Sequence, residues 1–300
     1  MSVLLSFISY FILFMTTIAI PVCVMRMLAK ELSIHAPRQK NYRGKEVWHG
    51  LGVVWAIWIL GAWIGSIIIG ALVGYQPAWL IMVNAALPLV MGACLFGMFD
   101  DWMGADAKEK GFRGHLRALA ELRISTGALK FFGIGLLTIF TAASITFPLE
   151  ASIETVLTIF LKALVIALSA NLINLLDLRP TRALKAYSVG VLIAGLMLIT
   201  FLGKIWPAYS YFALVLFSLG PVFAIWKYDA GEQGMLGDAG ANAMGAYLGF
   251  LLASALPLDG LLVTFAILAA LNIASEFISF SKVIEKSKFL NFIDKLGRNA

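Results

Sequence analysis

From Gly50 to Phe99 the chain runs without one charged residue. A helix needs about 20 apolar residues to cross roughly 30 Å of hydrocarbon, so this stretch predicts two spans joined at the turn sequence Gly74-Tyr75-Gln76-Pro77. Comparable apolar runs predict helices over 3–28, 50–73, 79–99, 128–148, 155–175, 187–203, 208–226, 242–257 and 261–280. The expected fold is all-α, a polytopic integral membrane bundle of about nine transmembrane helices, because lipid forces every backbone amide to be satisfied within its own segment.

The polar positions set the orientation. Arg26, Lys30, Arg38, Lys40, Arg43 and Lys45 follow the first span, and Lys108, Lys110, Arg113, Arg117 and Arg123 follow the third. Arg179, Arg182, Lys185 and Lys227 fall in later connections of the same parity, and Lys282, Lys286, Lys288, Lys295 and Arg298 fill the tail. Lys and Arg are retained on the cytoplasmic side, so the amino terminus is expected outside and the carboxyl terminus in the cytoplasm of a multi-pass cell-membrane protein. In the first span the basic residues follow the apolar run instead of preceding it, which predicts a retained anchor and not a cleaved signal.

Composition narrows the class further. With 61% hydrophobic and 13% charged residues, the chain leaves no soluble basic domain for a nucleic acid, and its net charge of +6 faces anionic headgroups or anionic substrates. Cys23 and Cys94 both fall in apolar spans and define no disulfide framework. Residues 1–280 read as one membrane domain with its working loops on the cytosolic side. Residues 281–300 read as an amphipathic tail, with Val283, Ile284, Phe289, Leu290, Phe292, Ile293 and Leu296 among lysines, that lies on the membrane interface.

Against this apolar background, carboxylates at membrane borders are expensive and mark chemistry. Asp100 and Asp101 end the third span; adjacent acids repel, which suits a bound cation or a general base. The loop after them sets Lys110, Arg113 and His115 among Gly111 and Gly114, a phosphate-friendly composition that an ordinary cytoplasmic loop also shows. Asn171, Asn174 and Asp177 recur at three-residue steps along one helix face, which serves either a polar site or helix packing. Arg179, Arg182 and Lys185 follow on the next turns, free to bind phosphate or to pair with Asp177. Asp238, set among glycines in GDAGANAMG, reads equally as a helix cap and as a divalent-metal ligand beside open helix amides.

The order and spacing of FDDWMG, NLINLLD and GDAGANAMG resemble the Asp-Asp, Asn-x-x-Asn-x-x-Asp and Gly-Asp-x-Gly-Ser-x-x-x-Gly motifs of the polyprenyl-phosphate sugar-1-phosphate transferases. That family includes phospho-N-acetylmuramoyl-pentapeptide transferase and the GlcNAc-1-phosphate transferases. The resemblance implies a Mg2+-dependent transfer of a sugar-1-phosphate from a nucleotide-sugar, a UDP-sugar, to a polyprenyl phosphate in envelope glycan synthesis. It implies Asp100 and Asp101 as catalytic base and phosphate or metal neighbours, Asp238 as metal ligand, and Asn171, Asn174 and Asp177 as substrate-binding residues. Lys110, Arg113, His115, Arg179, Arg182 and Lys185 would hold phosphate. A homodimer is compatible with the sequence.

Three departures stand beside the resemblance. The family's Asp-Gly-Leu-Asp-Gly continuation reads here Asp177-Leu178-Arg179-Pro180-Thr181, its motif serine is Ala241, and its histidine-rich loop and tenth helix are expected to lack a counterpart. The rival expectation is therefore a catalytically inactive paralogue that binds or carries polyprenyl phosphate, or regulates envelope assembly.

Overall fold

A computed structural model describes residues 3–74, 78–103, 125–146, 152–203 and 208–298. Lys110, Arg113 and His115 lie outside the described residues. The chain is a bundle of long helices: α1 (Val3–Phe14), α2 (Ile20–His35), α3 (Val53–Val73), α4 (Ala78–Met103), α5 (Thr126–Ser144), α6 (Ile153–Leu176) and α7 (Arg182–Leu202). It continues as α8 (Ala208–Ser218), α9 (Gly220–Ala230), α10 (Gly237–Ala255), α11 (Leu258–Phe277), and the short α12 (Phe280–Lys286) and α13 (Lys288–Lys295). Among the described residues, eight helical segments are long and apolar enough to cross a membrane. The protein is thus an all-α multi-pass membrane bundle.

The eighth expected span, 242–257, falls on α10, which is not among those eight segments because its Gly- and Ala-rich sequence is less apolar. Its place explains the composition. Sixteen residues of α10 are buried, on every side of the helix, and it packs chiefly against α6 and α4. Small residues let helix backbones approach closely where lipid offers no hydrophobic drive. A Cβ on Gly245 would lie 2.6 Å from the Ser169 carbonyl oxygen of α6, and one on Gly249 would lie 2.6 Å from the Ile166 Cα.

The first apolar segment runs unbroken from Leu4 to His35, joined by a π turn at Met15–Ala19. At 1.5 Å per residue its 32 residues reach about 48 Å, so its basic end carries the chain beyond the hydrocarbon. The seventh span breaks instead. Pro221 has no amide hydrogen for the Phe217 carbonyl, and the broken turn leaves the carbonyls of Phe217 and Ser218 to side chains. Trp58 Nε1 donates to Phe217 O at 3.0 Å, and the Tyr187 hydroxyl donates to Ser218 O at 3.0 Å. These two rings join Trp55 and Tyr247 in the core, with Trp55 edge-on to Tyr187 at 5.0 Å and Trp58 edge-on to Tyr247 at 4.9 Å.

At the end of the bundle where the basic segments gather, the chain departs from all-helix. Strands β1 (Arg38–Lys40), β2 (Glu46–His49) and β3 (Gly234–Met235) form a small sheet in the order β1-β2-β3, antiparallel and then parallel. Glu232 anchors its hairpin, accepting from Asn41 Nδ2 at 3.0 Å and from the Tyr42 hydroxyl at 2.9 Å. The sheet places His49 against the start of α10.

Candidate functional site

The site grows from the N-terminus of α10. Gly237 takes a left-handed φ of 70°, and a Cβ there would lie 2.2 Å from the His49 ring and 2.7 Å from Asp101 Oδ2. Only glycine fits this turn. One helix away, a Cβ on Gly97 would lie 2.4 Å from the Asp238 carbonyl oxygen, so α4 meets α10 backbone to backbone. That contact brings the end of α4 onto the start of α10.

Asp101 uses the approach to cap the helix. Its Oδ1 accepts from the Asp238 amide at 2.9 Å and its Oδ2 from the Ala239 amide at 3.0 Å. The Gly237 amide is turned to Asp177, so two carboxylates from α4 and the end of α6 answer the first amides of α10. Burial, with Asp229 and Asp238 nearby, raises the Asp177 carboxyl well above the usual carboxylate range; the Gly237 amide opposes this. Asp229 itself is buried at the end of α9 and accepts from the Thr181 amide at 2.6 Å.

Asp100 and Asp238 remain, and one cation joins them. Lys130, in the first turns of α5, donates from Nζ to Asp100 Oδ2 at 2.5 Å and also to Asp238 Oδ2. Asn242, one turn into α10, donates to the Asp238 carbonyl at 2.8 Å. His49 is buried beside the cluster, with Nδ1 3.7 Å from Asp101 Oδ2, beyond hydrogen-bond length. Burial lowers its pKa and the Asp238 charge pulls it partly back, so the ring is held neutral.

The motif residues therefore divide. Asp100, Asp101, Asp177 and Asp238 converge on one end of the bundle, with Asn174 one turn before Asp177. Asn171 turns elsewhere: its Nδ2 donates to Asn272 Oδ1 at 2.7 Å, and Asn272 in turn donates to the Leu168 carbonyl at 3.2 Å, tying α6 to α11. The cations after Asp177 are engaged by the tail. Arg179 reaches Glu285 at 2.7 Å, and its guanidinium lies 4.2 Å from the Tyr42 ring centroid. Arg182 grips Asp294 with two bonds of 2.7 and 3.0 Å, and Lys185 donates to the carbonyls of Ile293, Asp294 and Leu296.

Lys130, His49 and Asp229 are the residues that sequence reading missed. Lys130 is a cation at the start of an apolar helix, where topology alone accounts for it. A lysine about one turn inside a span that is otherwise uncharged was the available signal. Beside the cluster an open, shallow cleft is lined by Tyr42, Asp177, Arg179, Asp229, Met235 and Leu236 among others. No protein-family model matches the chain, and no curated protein matches it.

Proposed function

We propose that this chain is a membrane-embedded transferase that moves a sugar-1-phosphate from a UDP-sugar to a polyprenyl phosphate. One observation carries the reading: Asp100 and Asp238, from helices far apart in sequence, turn their carboxylates onto a single cation position at the bundle end, with Asp101 fixing the junction. The aspartates of the three motifs that resemble the transferase family lie at one bundle end, which supports this reading, while Asn171 packs against α11.

The donor set fits Mg2+ in kind, since that ion is commonly held by one or two carboxylates together with substrate phosphates. Among the described residues no group of three His, Cys, Asp or Glu side chains could hold a metal alone, so a metal held here would take its remaining ligands from substrate and water. When bound, Mg2+ neutralises diphosphate charge and polarises the phosphoryl centre. Asp100 and Asp238 would hold it. Lys130 keeps the two carboxylates neutralised until a phosphate arrives and then turns its ammonium to the phosphate oxygens. Of the two adjacent aspartates Asp100 is the one with oxygens to offer a ligand, since both oxygens of Asp101 already accept from backbone amides. The donor nucleotide occupies the cleft beside Asp177, and the lipid phosphate arrives from the bilayer along the helix ends.

A second reading has its own observation. Lys130 satisfies both carboxylates without metal, and Arg179, Arg182 and Lys185 are already engaged, as suits an inactive carrier of polyprenyl phosphate. Purified protein incubated with undecaprenyl phosphate, Mg2+ and a panel of UDP-sugars separates the two. UMP release with a matching lipid product from any donor supports the transferase. Tight lipid binding without turnover across the panel supports the carrier.

A further inference from the structure

Beyond α11 the chain folds back on the bundle as α12 and α13, and its two faces differ in kind. The inner face is polar and buried. Asp294 is 7% exposed and Arg182 5%, and the pair is joined by two hydrogen bonds while Arg182 Nη1 also reaches the Ser281 hydroxyl at 2.8 Å. Arg298 adds a second guanidinium, 2.6 Å from Asp294 and 2.9 Å from the Pro180 carbonyl. Lys185 closes the C-terminal carbonyls of α13, the place where a cation best complements a helix.

Apart from the Arg298–Asp294 pair within the tail, each of these contacts falls on residues 179–185. That is the turn following Asp177, and it includes Thr181, a non-glycine residue held at φ 61° with its amide on Asp229. A β-branched residue in the left-handed region persists only where its surroundings fix it. Asp229 holds Thr181 itself, and the tail holds the residues on either side of it, Pro180 and Arg182.

The outer face is apolar and open. Phe289 is 71% exposed and Phe292 65%, and with Ile293 they recur at helical spacing on one side of α13, followed at its C-cap by Leu296, 58% exposed. Lys282, Lys286, Lys288 and Lys295 flank them, and the segment begins two residues after a membrane-spanning helix ends. An apolar stripe edged by lysines at the end of a span fits an anionic bilayer surface.

We propose that residues 280–298 are a strap that binds the anionic bilayer surface through Phe289, Phe292 and Leu296 and locks the Asp177 turn through Asp294. The inference rests on the contacts of this segment and is independent of the transferase reading.

The test uses the full chain in nanodiscs, with Cys23→Ala, Cys94→Ala and Phe292→Cys carrying an environment-sensitive fluorophore. Bromine on the lipid chains near the headgroup should quench the label and aqueous iodide should not, with stronger lipid quenching when phosphatidylglycerol is added to phosphatidylcholine. Replacing the four lysines by glutamine should abolish that lipid dependence while trypsin still spares Arg182 and Lys185. Asp294→Asn should expose Arg182 and Lys185 to trypsin, and Asp294→Glu should restore protection, with helical circular dichroism unchanged in both. Efficient iodide quenching in both lipids overturns the surface contact. Equal protection in Asp294→Asn and the parent overturns the lock.

Discussion

Lys130 places one ammonium on two carboxylates contributed by other helices, one of them 108 residues away along the chain. Removing it leaves Asp100 and Asp238 facing each other with nothing between, and like charges at that range resist joint ionisation. Lys130→Gln should therefore lower stability by about 1.5 to 3 kcal/mol, the usual value of charge-assisted bonds, and millimolar Mg2+ should recover part of the loss. Melting temperature in detergent with and without Mg2+ measures both effects; a loss untouched by Mg2+ contradicts a shared cation position. Asp177 gives a prediction of opposite sign. Its folded pKa stands above the unfolded value near 3.9, so the native state binds the extra proton and stability declines as pH rises from about 4 through the folded pKa. Asp177→Asn, which keeps an acceptor for the Gly237 amide, should be more stable than the parent at neutral pH. The gap should close at up to about 1.4 kcal/mol per pH unit as the medium is acidified. Neutral His49 acts the other way, since its lowered pKa costs stability as pH falls below about 6.5, so the comparison is made between variant and parent at each pH.

At the scale of the element, α10 shows what an apolar run reveals and what it conceals. Long uncharged segments announce α3 and most of α4, where less than half of the helix is buried inside the bundle. The most deeply buried helix is the least announced: α10 needs small residues more than hydrophobic ones, since its neighbours are backbones. The three motif clusters were legible as acidic interruptions of apolar sequence, and their gathering at one bundle end followed from the parity of the spans. Lys130 was not legible, because its meaning depends on where α10 begins. The three-stranded sheet was hidden as well, since β3 is two residues long and exists only through pairing with Trp48 and His49. Nor could spacing show that Asn171 ties α6 to α11 or that Arg182 and Lys185 meet the tail. The glycine contacts give the element-scale test. Gly97→Ala drives a methyl into the backbone of Asp238 and Ala239, with contacts of 2.4 to 2.5 Å, and should cost at least the 1 to 3 kcal/mol usual for overpacking. Gly135→Ala on α5 meets nothing within 4 Å and should be neutral or gain about 0.5 to 1 kcal/mol of helix stability. Melting of the two variants side by side separates close packing from helix propensity.

For the whole molecule, the arrangement of charge and of the sheet makes the bundle polar end to end. The acidic cluster, the sheet, the Asp177 turn and the tail all share one end, and Asp259 opens α11 at the other. The excess of Lys and Arg around the first of these ends is what predicts a cytoplasmic orientation for it. Both ends of α11 can then be tested on one helix of 20 residues, which spans about 30 Å. In sealed right-side-out vesicles and a Cys23→Ala, Cys94→Ala background, Asp259→Cys should react with an impermeant maleimide, whereas Lys45→Cys and Lys286→Cys should react only after the membrane is opened. Reaction of Lys45→Cys and Lys286→Cys from outside, with Asp259→Cys protected, would invert the bundle. The acidic cluster would then face away from cytosolic nucleotide-sugars, and the transferase reading would fall with the orientation.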